Sequence, residues 1–273
     1  MKKILLIMTA LLLWNCTDYA GDWENNYGAI FGAGSGNGGN SASNEGGKDY
    51  QALSSAAENG GNMAPNEGAS LDYGRLIDPR DGKEYRTIQI GSQEWMAENM
   101  NYETTGSYCY GNDVSNCTKY GRLYLWSAAM DSSGTFSTNG KGCGSGSTCS
   151  ATLPVQGICP TGWHLPTAAE FQVLIDAVGG KFVAGNVLKS RSGWLENRNG
   201  TNAFGFSALP AGYRSYNGLF YSEGGRALFW SSTECDIFAS QISLYYESLY
   251  ERNLVDLGTW GKDNGFSVRC VKD

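Results

Sequence analysis

Apolar and polar residues alternate along Tyr85-Arg86-Thr87-Ile88-Gln89-Ile90, the period of a β-strand, and Gly91-Ser92 follows as a turn. Upstream, Asp78-Pro79-Arg80-Asp81-Gly82 is turn chemistry, so Arg75 to Ile77 and Tyr85 to Ile90 are expected to form a hairpin. The pattern changes to helical spacing after Pro166. Thr167 and Glu170 match a capping box, in which the hydroxyl and the carboxylate satisfy free amides of a first turn. Phe171, Leu174, Ile175 and Val178 then recur on one helical face, and Gly179-Gly180 closes the helix. Past residue 200 the apolar runs are short and alternating: Phe204 to Leu209, Gln241 to Tyr246 and Phe266 to Val271. Many short antiparallel strands with one or two helices predict an α+β domain.

The N-terminal quarter has a different texture. Lys2 and Lys3 precede the uncharged apolar run Ile4 to Leu13. At about ten residues this is roughly half of what a helix needs to cross a bilayer, so it reads as a signal peptide. It ends in Leu13-Trp14-Asn15-Cys16, similar to a bacterial lipobox except at Asn15, where a small residue is usual. Residues 1–16 are therefore expected to be a cleaved signal, with Cys16 lipidated. The rival cleavage after Asp18-Tyr19-Ala20 would put a charge at a small-residue site. Residues 17–70 are rich in Gly, Asn and Ser and poor in large apolar side chains, too sparse to offset the entropy of ordering a backbone. A disordered tether of that length spans roughly 40 Å on average. Its glycines lack the Lys-Ser/Thr of a phosphate loop. From Leu71 to Asp273 the chain is long enough for one well-buried domain.

Composition narrows the function. Eight cysteines in 273 residues fit an oxidising compartment. A net charge of −7 offers no cationic surface for phosphate, so nucleic acid is not an expected partner. A single histidine, His164, removes most His-based metal and acid–base schemes, and no cofactor or metal is expected.

Several phrases together carry a resemblance. They are Gly91-Ser92-Gln93-Glu94-Trp95-Met96-Ala97-Glu98-Asn99-Met100-Asn101-Tyr102, Tyr108-Cys109-Tyr110 with Cys117-Thr118-Lys119-Tyr120-Gly121-Arg122-Leu123-Tyr124, and Gly157-Ile158-Cys159-Pro160-Thr161-Gly162-Trp163-His164-Leu165-Pro166-Thr167. Gly205-Phe206-Ser207-Ala208-Leu209-Pro210-Ala211-Gly212-Tyr213-Arg214, Phe229-Trp230-Ser231-Ser232-Thr233-Glu234 and Ser267-Val268-Arg269-Cys270-Val271 complete the set. In this order they resemble the Fibrobacter succinogenes major paralogous domain family over about residues 71–273. The resemblance implies an exported or surface-attached protein of a fibre-degrading bacterium, and it extends to the C-type-lectin-like superfold. That superfold also hosts adhesins and sulfatase-modifying enzymes, so it does not by itself select a function.

With Cys16 lipidated, seven cysteines remain. Short separations favour Cys109–Cys117 and Cys143–Cys149 as local loops, and the lectin-like resemblance suggests Cys159–Cys270. Cys235 is left over, as a buried thiol, a partner in another pairing or an intermolecular link.

Each candidate for chemistry has a bland counterpart. His164 lies in an apolar phrase and suits a packed, hydrogen-bonded residue better than a base. Glu94 and Glu98 are four apart and would share a helical face, but one face does not supply two opposed carboxylates. Glu170 is a cap before it is a catalyst. The calcium triplets of lectins are absent, and Glu234 with Asp236 falls short of the oxygen set a hard cation needs. Ring stacking on sugars is the better route. Tyr213, Tyr216, Phe220 and Tyr221 lie in a Gly-rich stretch, and Tyr245, Tyr246, Tyr250 and Trp260 follow. Half of these rings are expected to be core, with variable ligand contacts between about 235 and 264. The leading expectation is a non-catalytic binding or adhesion domain on a lipid-anchored protein at the outer membrane or cell surface. Its ligand would be a polysaccharide, such as one of plant cell walls, or a surface protein. The alternatives are an exported enzyme of the sulfatase-modifying type, which would need Cys235 as a reactive thiol, and a structural envelope component.

Overall fold

The computed structural model describes residues 70–245 and 255–273. The expected signal peptide, Cys16 and all but the last residue of the expected tether lie outside the described residues, as do Tyr246 and Tyr250. Three antiparallel sheets and a few helices make up the described part. The first sheet holds β1 (Gly74–Ile77), β2 (Glu84–Ile90) and β3 (Gln93–Met96). The next segments in the chain are β4 (Ser107–Tyr108), α1 (Val114–Tyr120), β5 (Leu123–Leu125) and α2 (Trp126–Ala129). After a long disulfide-bonded loop come β6 (Trp163–His164), α3 (Ala168–Ala177) and α4 (Lys181–Leu188). The C-terminal part supplies β7 (Tyr213–Arg214), β8 (Phe220–Tyr221), β9 (Arg226–Cys235) and β10 (Phe238–Tyr245). It closes with β11 (Val255–Gly261), β12 (Gly265–Phe266) and β13 (Val271–Lys272). The strand orders are β1-β2-β3-β13-β6, β4-β5-β12-β7-β8 and β11-β10-β9.

The expected hairpin forms: Leu76 pairs with Tyr85 and Ile77 with Glu84. The expected helix is α3, and both halves of its capping box are made. Gly180 sits at φ 88°, where a side chain would be strained, and starts α4 at a bend of 84°.

Strands β2, β3 and β9 separate two cores, and β9 is buried on both faces over residues 227–232. Met96, Leu228 and Trp230 point into one core together with Trp126, Phe266 and the Cys159–Cys270 pair. Their neighbours Trp95, Ala227 and Phe229 point into the other, where Phe171, Leu174 and Ile175 of α3 lie over them. Trp95 stacks on Phe171 at 5.3 Å and meets the edge of Phe206 at 6.0 Å.

Four expectations change. The described residues contain four α-helical segments, not one or two. The shortest are α1 and α2, and α1 is built from weak helix formers held by the Asp113 cap on Ser115 and by the Cys109–Cys117 bond. Phe204 to Leu209 is not a strand. Asn202 Oδ1 accepts the Ser207 amide at 2.7 Å and Ser207 takes φ 54°, which turns the chain despite its alternation. Phe266 to Val271 is split between β12 and β13, which belong to different sheets. Glu94 lies on strand β3 with Glu98 just beyond it, so the two share no helix. Glu94 accepts from Thr87 and Lys272, and Glu98 from Arg86.

Candidate functional site

The β7–β8 hairpin projects from the second sheet, and local hydrogen bonds fix its loop. Ser215 donates its amide to Leu219 O at 2.8 Å, Gly218 to Ser215 O at 2.9 Å, and Leu219 to Asn217 Oδ1 at 3.0 Å. Tyr216 is tied by its amide to Asn264 Oδ1 at 3.2 Å, while its side chain stands 72% exposed. A large ring on an ordered loop and open to water is a prepared contact surface.

Alternation gives the hairpin two aromatic faces. On one, Tyr213 meets Trp260 edge-on at 5.4 Å, Phe266 at 6.1 Å and Tyr221 at 5.7 Å. Tyr213 and Trp260 are half-buried against the first core, and burial pushes the Tyr213 phenol up so that it stays neutral. Tyr221 is 40% exposed. On the other face, Phe220 packs on Tyr110 at 5.3 Å, and the Arg214 guanidinium lies over the Tyr108 ring at 4.1 Å. Tyr213, Tyr216 and Trp260 are thus gathered around one hairpin. Tyr245 is not part of that group along the sheet. Register places Trp260 opposite Ala239 and Arg226 opposite Tyr245, six residues further along β10 and roughly 20 Å away. There Tyr245 lies under the Arg226 guanidinium, and its carbonyl accepts from Lys189, whose pKa burial pulls down to about 8.

His164 is held rather than presented. Its Nε2 faces Glu170 Oε1 and its Nδ1 faces Asp273 Oδ1, each at 2.8 Å, and the residue is buried. Burial pulls its pKa down, but the two carboxylates more than offset this and the pKa is raised, which favours an imidazolium donating from both nitrogens. Glu170 also accepts the Thr167 amide at 2.8 Å, so one carboxylate caps α3 and anchors the histidine. Neither ring nitrogen is available to a substrate.

The family model for the Fibrobacter succinogenes major domain matches residues 88–272. The chain belongs to this family. No curated protein and no solved structure matches it. The matched region omits β1 and most of β2, although β2 pairs with β3 from Thr87–Met96 to Ile90–Gln93.

The phrases that characterise the Fibrobacter major domain converge on a buried polar knot. Arg269 is fully buried. It donates to Asn99 Oδ1 at 2.7 Å, Met96 O at 3.1 Å, Ser207 O at 3.0 Å and Phe206 O. Its guanidinium lies against the Phe206 and Phe229 rings. Burial draws its pKa down to about 9, still above neutral, so it stays charged. Asn99 in turn donates to Tyr120 O at 2.7 Å. Four family phrases therefore meet at one side chain. The Phe229-Trp230-Ser231-Ser232-Thr233-Glu234 phrase is structural in the same way. Trp126 Nε1 donates to Ser231 O and Trp230 Nε1 to Tyr124 O, both at 2.8 Å. Glu234, considered above for calcium, accepts the Cys149 amide at 2.8 Å and pairs with the buried Lys262.

The Cys109–Cys117, Cys143–Cys149 and Cys159–Cys270 bonds are all present. Cys235, left over from these three pairs, is also disulfide-bonded, which removes the buried-thiol alternative, and no cysteine among the described residues is free. Sequence reasoning passed over Arg269, Lys262 and Asn99 because nothing in a linear pattern marks a polar residue as buried. Arg214 is passed over for the same reason, since no local pattern shows which side chains it will meet.

Proposed function

We propose that this protein is exported and surface-attached, and that its family domain binds a plant cell-wall polysaccharide by ring stacking, without catalysing a reaction. The observation that carries the reading is the aromatic hairpin. Exposed Tyr216 sits on a loop ordered by its own hydrogen bonds, and Tyr221 with half-buried Tyr213 and Trp260 lie on the adjoining strands. Flat rings cover the apolar faces of pyranoses, and an ordered loop lowers the entropy lost on binding. Membership of a family of surface-associated domains supports the location, as do the signal-like residues 1–16. A lectin-like fold fits the same reading. The sulfatase-modifying alternative loses support because Cys235 is disulfide-bonded.

The test is retention of the full oxidised chain on cellulose, xylan, pectin and mannan, with and without EDTA. Retention that persists in EDTA and drops at least about tenfold in Tyr216→Ala or Trp260→Ala supports stacking, each base- or sugar-sized ring contact being worth about 1–3 kcal/mol. Absence of retention on all four polymers would discard a glycan ligand and favour a surface protein.

A further inference from the structure

We infer that Arg214 forms a carboxylate subsite beside Tyr108 on one face of the β4-β5-β12-β7-β8 sheet, and that the polysaccharide bound there carries uronic acids. The inference rests on the glycan-binding reading above and narrows it to one substrate class.

Among the described arginines, Arg75, Arg80, Arg86, Arg122 and Arg198 each meet a carboxylate, and Arg269 is consumed by carbonyls and Asn99. Arg191 donates to Thr201 O, and Arg226 lies over the Tyr245 ring. Arg214 is partly buried, and the partner of its guanidinium among the described residues is the Tyr108 ring. A guanidinium stacked on a ring at 4.1 Å keeps its five donors free around its edge.

The sheet is shaped to hold it there. Gly265 pairs with Arg214 across the β12–β7 ladder, and a Cβ on Gly265 would come within 3.2 Å of Arg214 Cβ. With no side chain at Gly265, the arginine can extend over β12 towards the Tyr108 ring, which leans in from β4 beyond β5. Nη2 lies close to Gly218, where a Cβ would come within 3.3 Å of it, so the absence of a side chain there gives the guanidinium room. The cation is thereby positioned before any ligand arrives, which reduces the rotamer entropy lost on binding.

A planar fork of donors matches a carboxylate, which accepts two parallel N–H bonds. Phe220, paired with Arg214 across β7 and β8, packs on Tyr110, and the exposed Tyr216 at the hairpin tip offers stacking surface on the same hairpin as the charge. A uronate combines both features in one residue, an apolar pyranose face and a C6 carboxylate. A neutral glucan would leave the guanidinium without a counter-ion. The protein's own −7 charge opposes a polyanion at long range, but at 0.15 M salt such repulsion is screened beyond about 8 Å.

The deciding experiment compares retention of the full oxidised chain on polygalacturonate, its fully methyl-esterified form and cellulose, at 0.15 M NaCl with EDTA. Expected is retention on polygalacturonate at least about tenfold stronger than on the ester, the scale of a charge-assisted hydrogen bond. Arg214→Gln should lose about the same factor on polygalacturonate with an unchanged melting temperature, and Arg214→Lys should recover only part of it. The ester comparison leaves the protein unaltered, so it stands even if a variant folds poorly. Equal retention on acid and ester, or an Arg214→Gln protein that binds polygalacturonate as well as the parent, would overturn the subsite. If cellulose retains parent and Arg214→Gln alike and Tyr216→Ala releases both, glycan binding survives and the uronate inference falls. If none of the polymers retains the protein, both fall.

Discussion

Arg269 and Arg214 each lie in a phrase shared with the family, and each rests against aromatic rings, yet their surroundings assign them opposite work. Arg269 is sealed between two cores with every nitrogen occupied by protein oxygens. Arg214 is only partly buried, with its guanidinium over the Tyr108 ring. A shared phrase therefore does not indicate a site. In the buried knot a charge is tolerated because carbonyls from distant segments replace its hydration, and removing it leaves those oxygens unpaired. At the hairpin tip, removing the exposed Tyr216 ring unpacks no core and costs chiefly what a ligand would have gained.

The comparison breaks most readily at Arg269. Arg269→Met should destabilise the domain by at least about 3 kcal/mol, because four acceptors lose their donor at once. Urea denaturation of the oxidised full chain measures it; a midpoint within error of the parent would show that the knot is dispensable. Next in size is Cys159→Ser with Cys270→Ser. This pair closes a separation of 111 residues, so its loss should cost about 2–5 kcal/mol. A smaller effect, about 1 kcal/mol, is expected for Thr167→Ala, which removes the α3 cap.

The His164 clamp sharpens the same contrast through pH. Its pKa is raised on folding, so its contribution is complete below about 6.5 and is lost as pH rises through the folded value. Burial opposes the charged form of Glu170, but its bonds to His164 and Thr167 outweigh this and its pKa is lowered. Its contribution is present above its unfolded value and is lost as pH falls through the folded one. Stability should therefore decline on both sides of an intermediate maximum, and His164→Gln should flatten the alkaline side. An identical profile in parent and variant would remove the clamp from the account. The smallest effect on stability is expected at the hairpin: Tyr216→Ala should shift it by less than about 0.5 kcal/mol while releasing the protein from its polymer. A large loss of stability there would make Tyr216 a scaffold residue and erase the distinction.

Local chemistry determined much of this protein. The β1–β2 hairpin follows from turn residues and period-2 alternation, and α3 follows from Thr167, Glu170 and the spacing of Phe171, Leu174 and Ile175. These rest on interactions between residues a few positions apart, which a linear pattern contains. The Cys109–Cys117 and Cys143–Cys149 loops are legible for the same reason, their members being eight and six residues apart.

Tertiary structure decided the rest. Alternation over Phe204 to Leu209 and Phe266 to Val271 suggested strands, but Asn202 turns the first run and Arg269 fastens its carbonyls to the second. Whether Tyr213 or Tyr216 faces water depends on which side of a two-residue strand meets the core. Tyr245 is separated from Trp260 by the register of β10, which no local signal encodes. The sequence supplies side chains and their short-range preferences. Which arginine is buried and which stays open depends on segments brought together from more than a hundred positions away, as Asn99 and Arg269 are.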